Sequence, residues 1–554
     1  MKKLIYILVL GLSVQISTAQ EADFLISVSS SEGPVYGAKG LLNEQGESFL
    51  IGNVFFKDSI IIKGPSETRV EYASNGSGSY IIKSDYLGSI QWVKWLDKSI
   101  VVSESTLDAN GNVLLVGTCA DSTDFDPGPN EFKIVGNAES FLLKLNANGD
   151  FLKAVAPKKI NNSRVQPHFV RLSPNGNIIV SGVASGGADF DPSSRIRQAI
   201  GESGDRGHFI ASYKSNFELN WIKLISSSAR EVRTLNTDDN NRIFVHGRAT
   251  QTFDANPQSA EFMVGNNPSF DFFTWYDEKG ELVSGGSYLT YGFNASIWRV
   301  HVFKDGNTLV RGTCSGTVDI APRKDENVQI TTGATDCFVV VDKELRQLWY
   351  DTSTVVPVLF HNPLTKGYSG MFRSINGFNA DIKNNSVPFG SNNDAYLPAA
   401  VNYNSSLDYS GSVKYKGGSN FYDIKRVEAS MSSILVSGNS SQSLDFGVNA
   451  KKDLYSGKSD AIYFSLPNQR VLAINEDVPA NTSFQIYPNP VTNQIHLEPE
   501  EIIEHIFLKD IQGKIVLEFE FEKDGYDVSS LNTGVYFLEL HSTTSVSTQK
   551  FVKQ

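Results

Sequence analysis

The sharpest chemical feature of the chain is a pair of carboxylates two residues apart, closed by proline and glycine: Asp124-Phe125-Asp126-Pro127-Gly128. It returns as Asp189-Phe190-Asp191-Pro192, and single aspartates hold the same place at Asp254, Asp319 and Asp445. Clustered carboxylate oxygens suit Ca2+, a hard cation that takes about six to eight oxygen ligands. On that reading Asp124, Asp126, Asp189 and Asp191 are the metal ligands, although the spacing is not that of an EF-hand, which needs more ligands and a distal glutamate. Aspartate ahead of proline and glycine also caps its own turn. A corner repeated along the chain would need one such turn each time, so both readings stand.

Other candidate chemistry is thinner. An acidic residue opens a recurring aromatic strand, as in Glu139 before Phe141, Asp271 before Phe272, Asp336 before Phe338, Asp394 before Tyr396 and Asp460 before Tyr463. Equivalent copies read as turn caps, because catalysis needs one asymmetric constellation. The eight histidines (168, 208, 246, 301, 361, 496, 505, 541) show no metal-ligand spacing. His246 stands where sibling segments carry Val or Ser, which reads as a packed core residue. No Gly-x-Ser-x-Gly elbow, P-loop or dinucleotide fingerprint occurs. No catalytic residue is assigned, and the reading leans away from an enzyme.

The elements that carry these residues repeat. A β-rich run ending in glycine recurs with glycines at 52, 117, 182, 247, 312, 377 and 438, five intervals of 65 and one of 61. Each unit reads as four strands: the glycine run, a second strand such as Glu131 to Val135, the acidic-aromatic strand, and a fourth with Trp or Leu at 92, 152, 221, 282 and 349. Four strands in each of seven units predict a seven-bladed β-propeller over residues 20–467. The seventh unit has no fourth strand of its own. Phe24-Leu25-Ile26-Ser27-Val28 fits that place, so the N-terminal strand is expected to close the last blade and cover the edges an open array exposes. On this count the aspartate turns lie on the face opposite the fourth-to-first connections. The longest of those connections (157–169, 285–299 and 352–367) hold Tyr288, Tyr291, Phe293, Trp298 and Phe360, with Tyr368 just beyond, aromatics that suit either sugar stacking or packing between blades.

Composition bounds the partners. The chain has 554 residues and a formal charge of −12, which repels phosphate backbones and argues against nucleic acid. Lys2 and Lys3, the apolar stretch Leu4 to Leu12 and the small residues Ser17-Thr18-Ala19 have the order of a secretory signal peptide over residues 1–19. That apolar run is shorter than the ~18 residues of a membrane span, and no transmembrane segment is expected. Three cysteines, Cys119, Cys314 and Cys337, leave at least one unpaired within the chain. Cys314 and Cys337 lie within one repeat and are placed to pair, or all three serve as small buried residues.

After a polar linker at 468–483, residues 484–554 alternate apolar and polar residues between turns, the pattern of a small C-terminal β-sandwich. The repeats, as in Glu139-Ser140-Phe141-Leu142-Leu143-Lys144-Leu145-Asn146-Ala147-Asn148-Gly149-Asp150, resemble the bacterial SBBP propeller repeats. The C-terminal segment resembles the type A sorting domain of type IX secretion. Tyr487-Pro488-Asn489-Pro490 opens it, Asp510-Ile511-Gln512-Gly513-Lys514 lies mid-domain, Asn532-Thr533-Gly534-Val535-Tyr536 follows, and Lys550 begins the final run. That resemblance implies the type IX translocon and its sorting machinery as partners, and a secreted or cell-surface destination. Within that frame the expected function is a non-catalytic binding or adhesion protein for a glycan or surface protein. A polysaccharide-active hydrolase or lyase and a structural surface-layer component are the alternatives.

Overall fold

A computed structural model describes most of the chain between Phe24 and Lys553. Outside the description lie 1–23, 441–459, 468–485, shorter connections throughout and, from 351 to 426, everything except strand backbones. The signal-peptide segment, the linker, and Tyr291 and Phe293 therefore fall outside the described residues. All described elements are β-strands. The chain divides into two compact units, Met1–Leu472 and Ala473–Gln554.

Among the described residues the first unit holds seven antiparallel sheets on one four-strand plan and three smaller ones. Tyr36–Leu42, Ser48–Val54, Gly78–Ser84 and Ile90–Trp95 form one, and Val101–Leu107, Val113–Thr118, Ser140–Leu145 and Phe151–Val155 the next. Later sheets repeat the order. In the last, Asp423–Ala429, Ser433–Ser440 and Asp460–Pro467 are followed by Phe24–Ser30 from the other end of the sequence, paired with Phe24 opposite Ser465. All seven residues of Phe24–Ser30 are buried. One apolar cluster joins Ile26, Leu50, Tyr80, Leu435 and Tyr463, so the first and last sheets share a core. The Tyr463 hydroxyl donates to the Ile51 carbonyl at 3.1 Å, and the Gly40 N–H donates to Ser437 Oγ at 3.0 Å across the same junction.

In six of the sheets the glycine run is the second strand, not the first. The true first strand lies in what the sequence presents as the fourth-to-first connection: Arg164–Leu172 within 157–169 and beyond, Ser296–Val302 after 285, Val358–Asn362 within 352–367. The run from Glu131 is correspondingly not a sheet strand. It is the returning arm of a short hairpin, bridged between Lys133 and Asp124. Matching hairpins are Ser59–Lys63 with Thr68–Tyr72, Ala188–Asp189 with Gln198–Ala199, and Phe253–Asp254 with Met263–Val264. Adding a strand before the glycine run reverses the parity of the meander. The aspartate hairpins and the fourth-to-first connections therefore share a face, contrary to the sequence expectation. In the sixth sheet the second strand is Gly367–Arg373, and the expected marker Gly377 lies outside the described residues.

The repeated glycine has a steric cause. In five sheets the first strand bulges opposite it, with Val102 facing Gly117, Pro167 facing Gly182, Val232 facing Gly247, Ile297 facing Gly312 and Ile424 facing Gly438. The extra residue of a bulge kinks the strand and drives a carbonyl toward its partner. A Cβ on Gly117 would meet the Val101 carbonyl oxygen at 2.0 Å, and one on Gly182 would meet that of Gln166 at 2.1 Å. Only glycine leaves room for the approach.

Four of the hairpins also shield an edge of the preceding sheet. Ser59–Lys63 pairs with Phe24–Ser30, with Ser27 opposite Lys63. Lys158 pairs with Asp189 just beyond the second sheet's last strand. Lys223 of the third sheet donates to Asn256 Oδ1 of the fourth sheet's hairpin at 3.0 Å, and the Ser287 N–H donates to the Pro322 carbonyl at 2.8 Å. Edge strands left open invite aggregation, and these contacts occupy them. One fourth-strand tryptophan adds a further link: Trp221 Nε1 donates to the Glu278 carbonyl of the next sheet's turn at 2.8 Å.

The second unit packs two small antiparallel sheets. Ile503–Lys509 and Gly534–Ser542 are central in one, with Ile515–Phe519 and Val546–Lys553 at its edges. Val491, Ile495, Leu508, Val528, Leu538 and Phe551 form their core.

Candidate functional site

Asp445 lies outside the described residues, and the other aspartates singled out by sequence are hairpin caps. Asp124 Oδ1 accepts from the Asp126 N–H at 3.1 Å and from the Phe132 N–H on the opposite arm at 2.8 Å. Asp254 Oδ1 does the same with Asn256 and Phe262, and Asp319 Oδ1 with Ala321 and Val328. Asp189 Oδ1 accepts from the Asp191 N–H at 3.1 Å, Asp191 Oδ1 from Ser193 at 2.9 Å, and Asp126 Oδ1 from Gly128 at 2.8 Å. Among the described residues no group of three or more His, Cys, Asp or Glu side chains is placed to hold a metal ion.

The acidic residue of the fourth sheet lies in the core. Asp271 is 1% exposed. Its Oδ1 lies 3.3 Å from Arg233 Nη1 and 3.3 Å from His246 Nε2. His246 stacks on Phe273 at 5.0 Å, and its Nδ1 is 3.5 Å from Thr234 Oγ1. The order Thr-His-Asp is that of a proton relay, but His246 is 1% exposed and no substrate reaches it. His246 is thus a packed, partnered core residue.

A polar network that sequence reading missed runs along the first strands. Lys39 donates to the Ser103 carbonyl and lies 3.4 Å from Glu104 Oε1. Arg171 Nη1 lies 3.8 Å from Glu104 Oε2, and Arg171 Nε donates to Asn236 Oδ1 at 3.3 Å. Four consecutive sheets are linked through one chain of contacts. These strands lie side by side: Tyr36–Leu42 against Val101–Leu107 and Asp423–Ala429, then Arg164–Leu172, Ala229–Thr237 and Ser296–Val302 in turn. The signal for this network was available, because Lys39 and Glu104 are 65 apart, and so are Thr106, Arg171, Asn236 and His301 in series.

Of the aromatics expected at a binding surface, Tyr288 is buried, with its hydroxyl donating to the Ile320 carbonyl at 2.8 Å. The side chains of Trp298, Phe360 and Tyr368 lie outside the described residues. An exposed pair lies elsewhere on that face: Tyr36 and Phe55 have ring centroids 5.4 Å apart and are each 47% exposed.

Cys314 and Cys337 form a disulfide between the second and third strands of the fifth sheet, with Cα atoms 5.8 Å apart. Cys119 is free, and burial together with Asp121 and Glu139 pushes its thiol up to about 12, so it is no nucleophile at neutral pH. The disulfide closes a loop across 23 residues. Replacing both cysteines by serine is expected to lower stability by about 3 kcal/mol, read as a lower denaturant midpoint; an unchanged midpoint would show that the bond carries no such load.

In the C-terminal unit, Tyr487 ends the short strand Ile486–Tyr487, and Pro488, Asn489, Pro490, Gly513 and Lys514 lie outside the described residues. Asp510 follows Ile503–Lys509, and Gly534 opens the strand that carries Tyr536. The Tyr536 hydroxyl donates to the Asn532 carbonyl at 3.1 Å and its ring lies 5.9 Å from Phe551. Lys550 pairs with Phe537 in the last strand. Among the described motif residues, Tyr487, Asp510 and Gly534 stand at strand ends, and Lys550 lies within its strand.

No curated protein matches the chain in sequence. Solved structures similar to it include PorZ, a surface component of the type IX secretion system of Porphyromonas gingivalis, at 8% identity and a TM-score of 0.29. That match covers 93% of this chain and 59% of the PorZ chain. The polysaccharide lyase Uly1 is similar at 7% identity and a TM-score of 0.38, over 79% of this chain and 91% of its own. A protein of unknown function from Bacteroides caccae is similar at 10% identity and a TM-score of 0.24, over 60% and 94%. Residues 485–554 match the family of secretion system C-terminal sorting domains. The chain therefore carries a type IX sorting domain, which sends it to the cell surface or out of the cell.

Proposed function

We propose that the first unit is a seven-bladed β-propeller carried out of the cell by the sorting domain, and that it acts there as a non-catalytic binding protein for a glycan or a surface protein. The observation that carries this reading is the junction of the first and last sheets. An array closed by Phe24–Ser30 and by the core of Ile26, Leu50 and Tyr463 has no free end. The first strands are then inner strands around one axis, and the hairpins and fourth-to-first connections form one face available to a ligand. Residues 1–19 act as the signal peptide that starts the export route.

The test is an array of glycans and matrix proteins probed with the secreted full chain, with and without EDTA. We expect binding that is indifferent to chelation, because the hairpin carboxylates already accept backbone N–H groups. Binding abolished by EDTA would return Asp124, Asp126, Asp189 and Asp191 to the role of Ca2+ ligands. Turnover of a polysaccharide would overturn the non-catalytic reading.

A further inference from the structure

The first four sheets each set an aromatic residue opposite the marker glycine, and the fifth does not. The third-strand partner is Tyr80 at Gly52, Phe141 at Gly117, Phe209 at Gly182 and Phe272 at Gly247, but Cys337 at Gly312. In the second, third and fourth sheets a hairpin phenylalanine packs on that ring. Centroids are 5.6 Å apart for Phe125 and Phe141, 4.8 Å for Phe190 and Phe209, and 5.0 Å for Phe253 and Phe272. Counted from the marker glycine, the places of Phe190 and Phe253 fall to Ile320 and Val318 in the fifth sheet. Phe338 does not fill the gap. Successive strand residues face opposite sides of a sheet, and the Phe338 ring lies on the other side with Arg311, 5.7 Å from its guanidinium.

Where the siblings hold rings, the fifth sheet holds a pocket. Gly312, Cys337, Val318 and Ile320 all line it, with Tyr288 of the preceding sheet as an aromatic wall. Its unfilled space is about 390 Å3 out to and including the open mouth. Tyr288 is fixed in place, edge-on to Phe273 at 5.3 Å with its hydroxyl on the Ile320 carbonyl. The disulfide to Cys314, another lining residue, holds the small Cys337 side chain there. One exposed carboxylate, that of Asp319, joins this otherwise apolar lining. An apolar concavity with a single polar group is the form of a small-ligand site. We propose that the pocket binds one aromatic ring of a small molecule that carries no negative charge, seated where sibling sheets seat their own phenylalanines. Asp319 selects against anions. The site is separate from the glycan or protein reading above and does not depend on it.

The experiment titrates the secreted full chain with phenol and with benzoate, followed by calorimetry and by the methyl resonances of its valines. Phenol is expected to bind with a Kd on the order of 1 mM, as suits so small a ligand. Benzoate should bind at least about tenfold more weakly, because its carboxylate meets that of Asp319. Phenol should shift the methyl signals of Val310, Val318 and Val339, which line the pocket. Val180 and Val245 hold the place of Val310 in sheets whose rings are present, and their signals should stay put. Ile320→Phe and Val318→Phe each supply a missing ring, and each should weaken phenol about tenfold or more without lowering the melting temperature. If a filled variant melts lower, the methyl shifts of the intact chain decide. No binding of phenol overturns the proposal, as do equal shifts at Val180 and Val245. Benzoate bound as tightly as phenol overturns it, and so does full affinity for phenol in both filled variants. Glycan or protein capture on the array leaves this outcome untouched, so the two readings fail separately.

Discussion

Gly117→Ala and Gly182→Ala are each expected to cost several kcal/mol, enough to unfold the first unit or abolish its accumulation. The added methyl would sit 2.0 Å from the Val101 carbonyl oxygen in the first case and 2.1 Å from that of Gln166 in the second. Both obstacles are backbone, so no side-chain rotation relieves them. The first strand would have to lose its bulge, and a one-residue change of register turns every later side chain to the other face of the sheet. For Arg164–Leu172 that would put Val165 and Val170, both buried and on either side of the bulge, on opposite faces of the sheet. Large losses from a single substitution belong to a short set of mechanisms, and backbone strain of this kind is one. Gly333→Ala is the control: nothing lies within 4 Å of its Cβ position, and the change should be neutral or slightly stabilising. Thermal melts of the three variants give the comparison. Equal melting temperatures for Gly117→Ala and Gly333→Ala would remove the bulge as the cause of the repeat.

Deleting Phe24–Ser30 should be at least as damaging. The strand buries Phe24, Leu25, Ile26 and Val28, each at 3% exposure or less. Burying one such side chain stabilises by roughly 1.5–3 kcal/mol, so four together rival the ~5–15 kcal/mol by which a domain is stable. Removal also strips partners from two strands at once, Asp460–Pro467 on one side and Ser59–Lys63 on the other. Two unpaired edges then face solvent, and aggregation is the expected readout. A synthetic peptide spanning residues 22–31, supplied during refolding, should restore a soluble monomer in part. Ile26→Asp is the milder version and should act in the same direction. A truncated chain that secretes and melts like the intact one would contradict closure by this strand.

The repeat of 65 was legible because glycine is obligatory where a carbonyl presses on it, and an obligatory residue keeps its spacing. The first strand that presses was not legible. Segments such as RVQPHFVRL and AREVRTLNT carry charges where a strand in a stacked sheet is expected to be apolar, and the bulge breaks the alternation by which strands are recognised. Those charges are what the contacts among neighbouring first strands use, from Lys39 to Glu104 to Arg171 to Asn236. The hairpin arms failed in the opposite way. Their short apolar runs look like strands, yet the Phe132 backbone bonds across the hairpin, its carbonyl accepting from the Phe125 N–H and its N–H capped by Asp124. Missing one strand and adding another kept the total at four and inverted the faces. The turn reading of the aspartates came from residue chemistry alone, and the carboxylate contacts agree with it. The sorting domain was the most legible part, because its Tyr487, Asp510, Gly534 and Tyr536 sit at turns and strand ends, where residue identity is narrowly set.

The molecule divides into a cargo and an address, and surface labelling of cells tests that division most directly. In a host with a type IX system, the intact chain and a chain ending at residue 467 are each probed on whole cells with an antibody to the first unit. The intact chain should be found on the surface or in the medium, and the shortened chain should fold but remain inside the outer membrane. A shortened chain that reaches the surface as efficiently as the intact one would contradict the account.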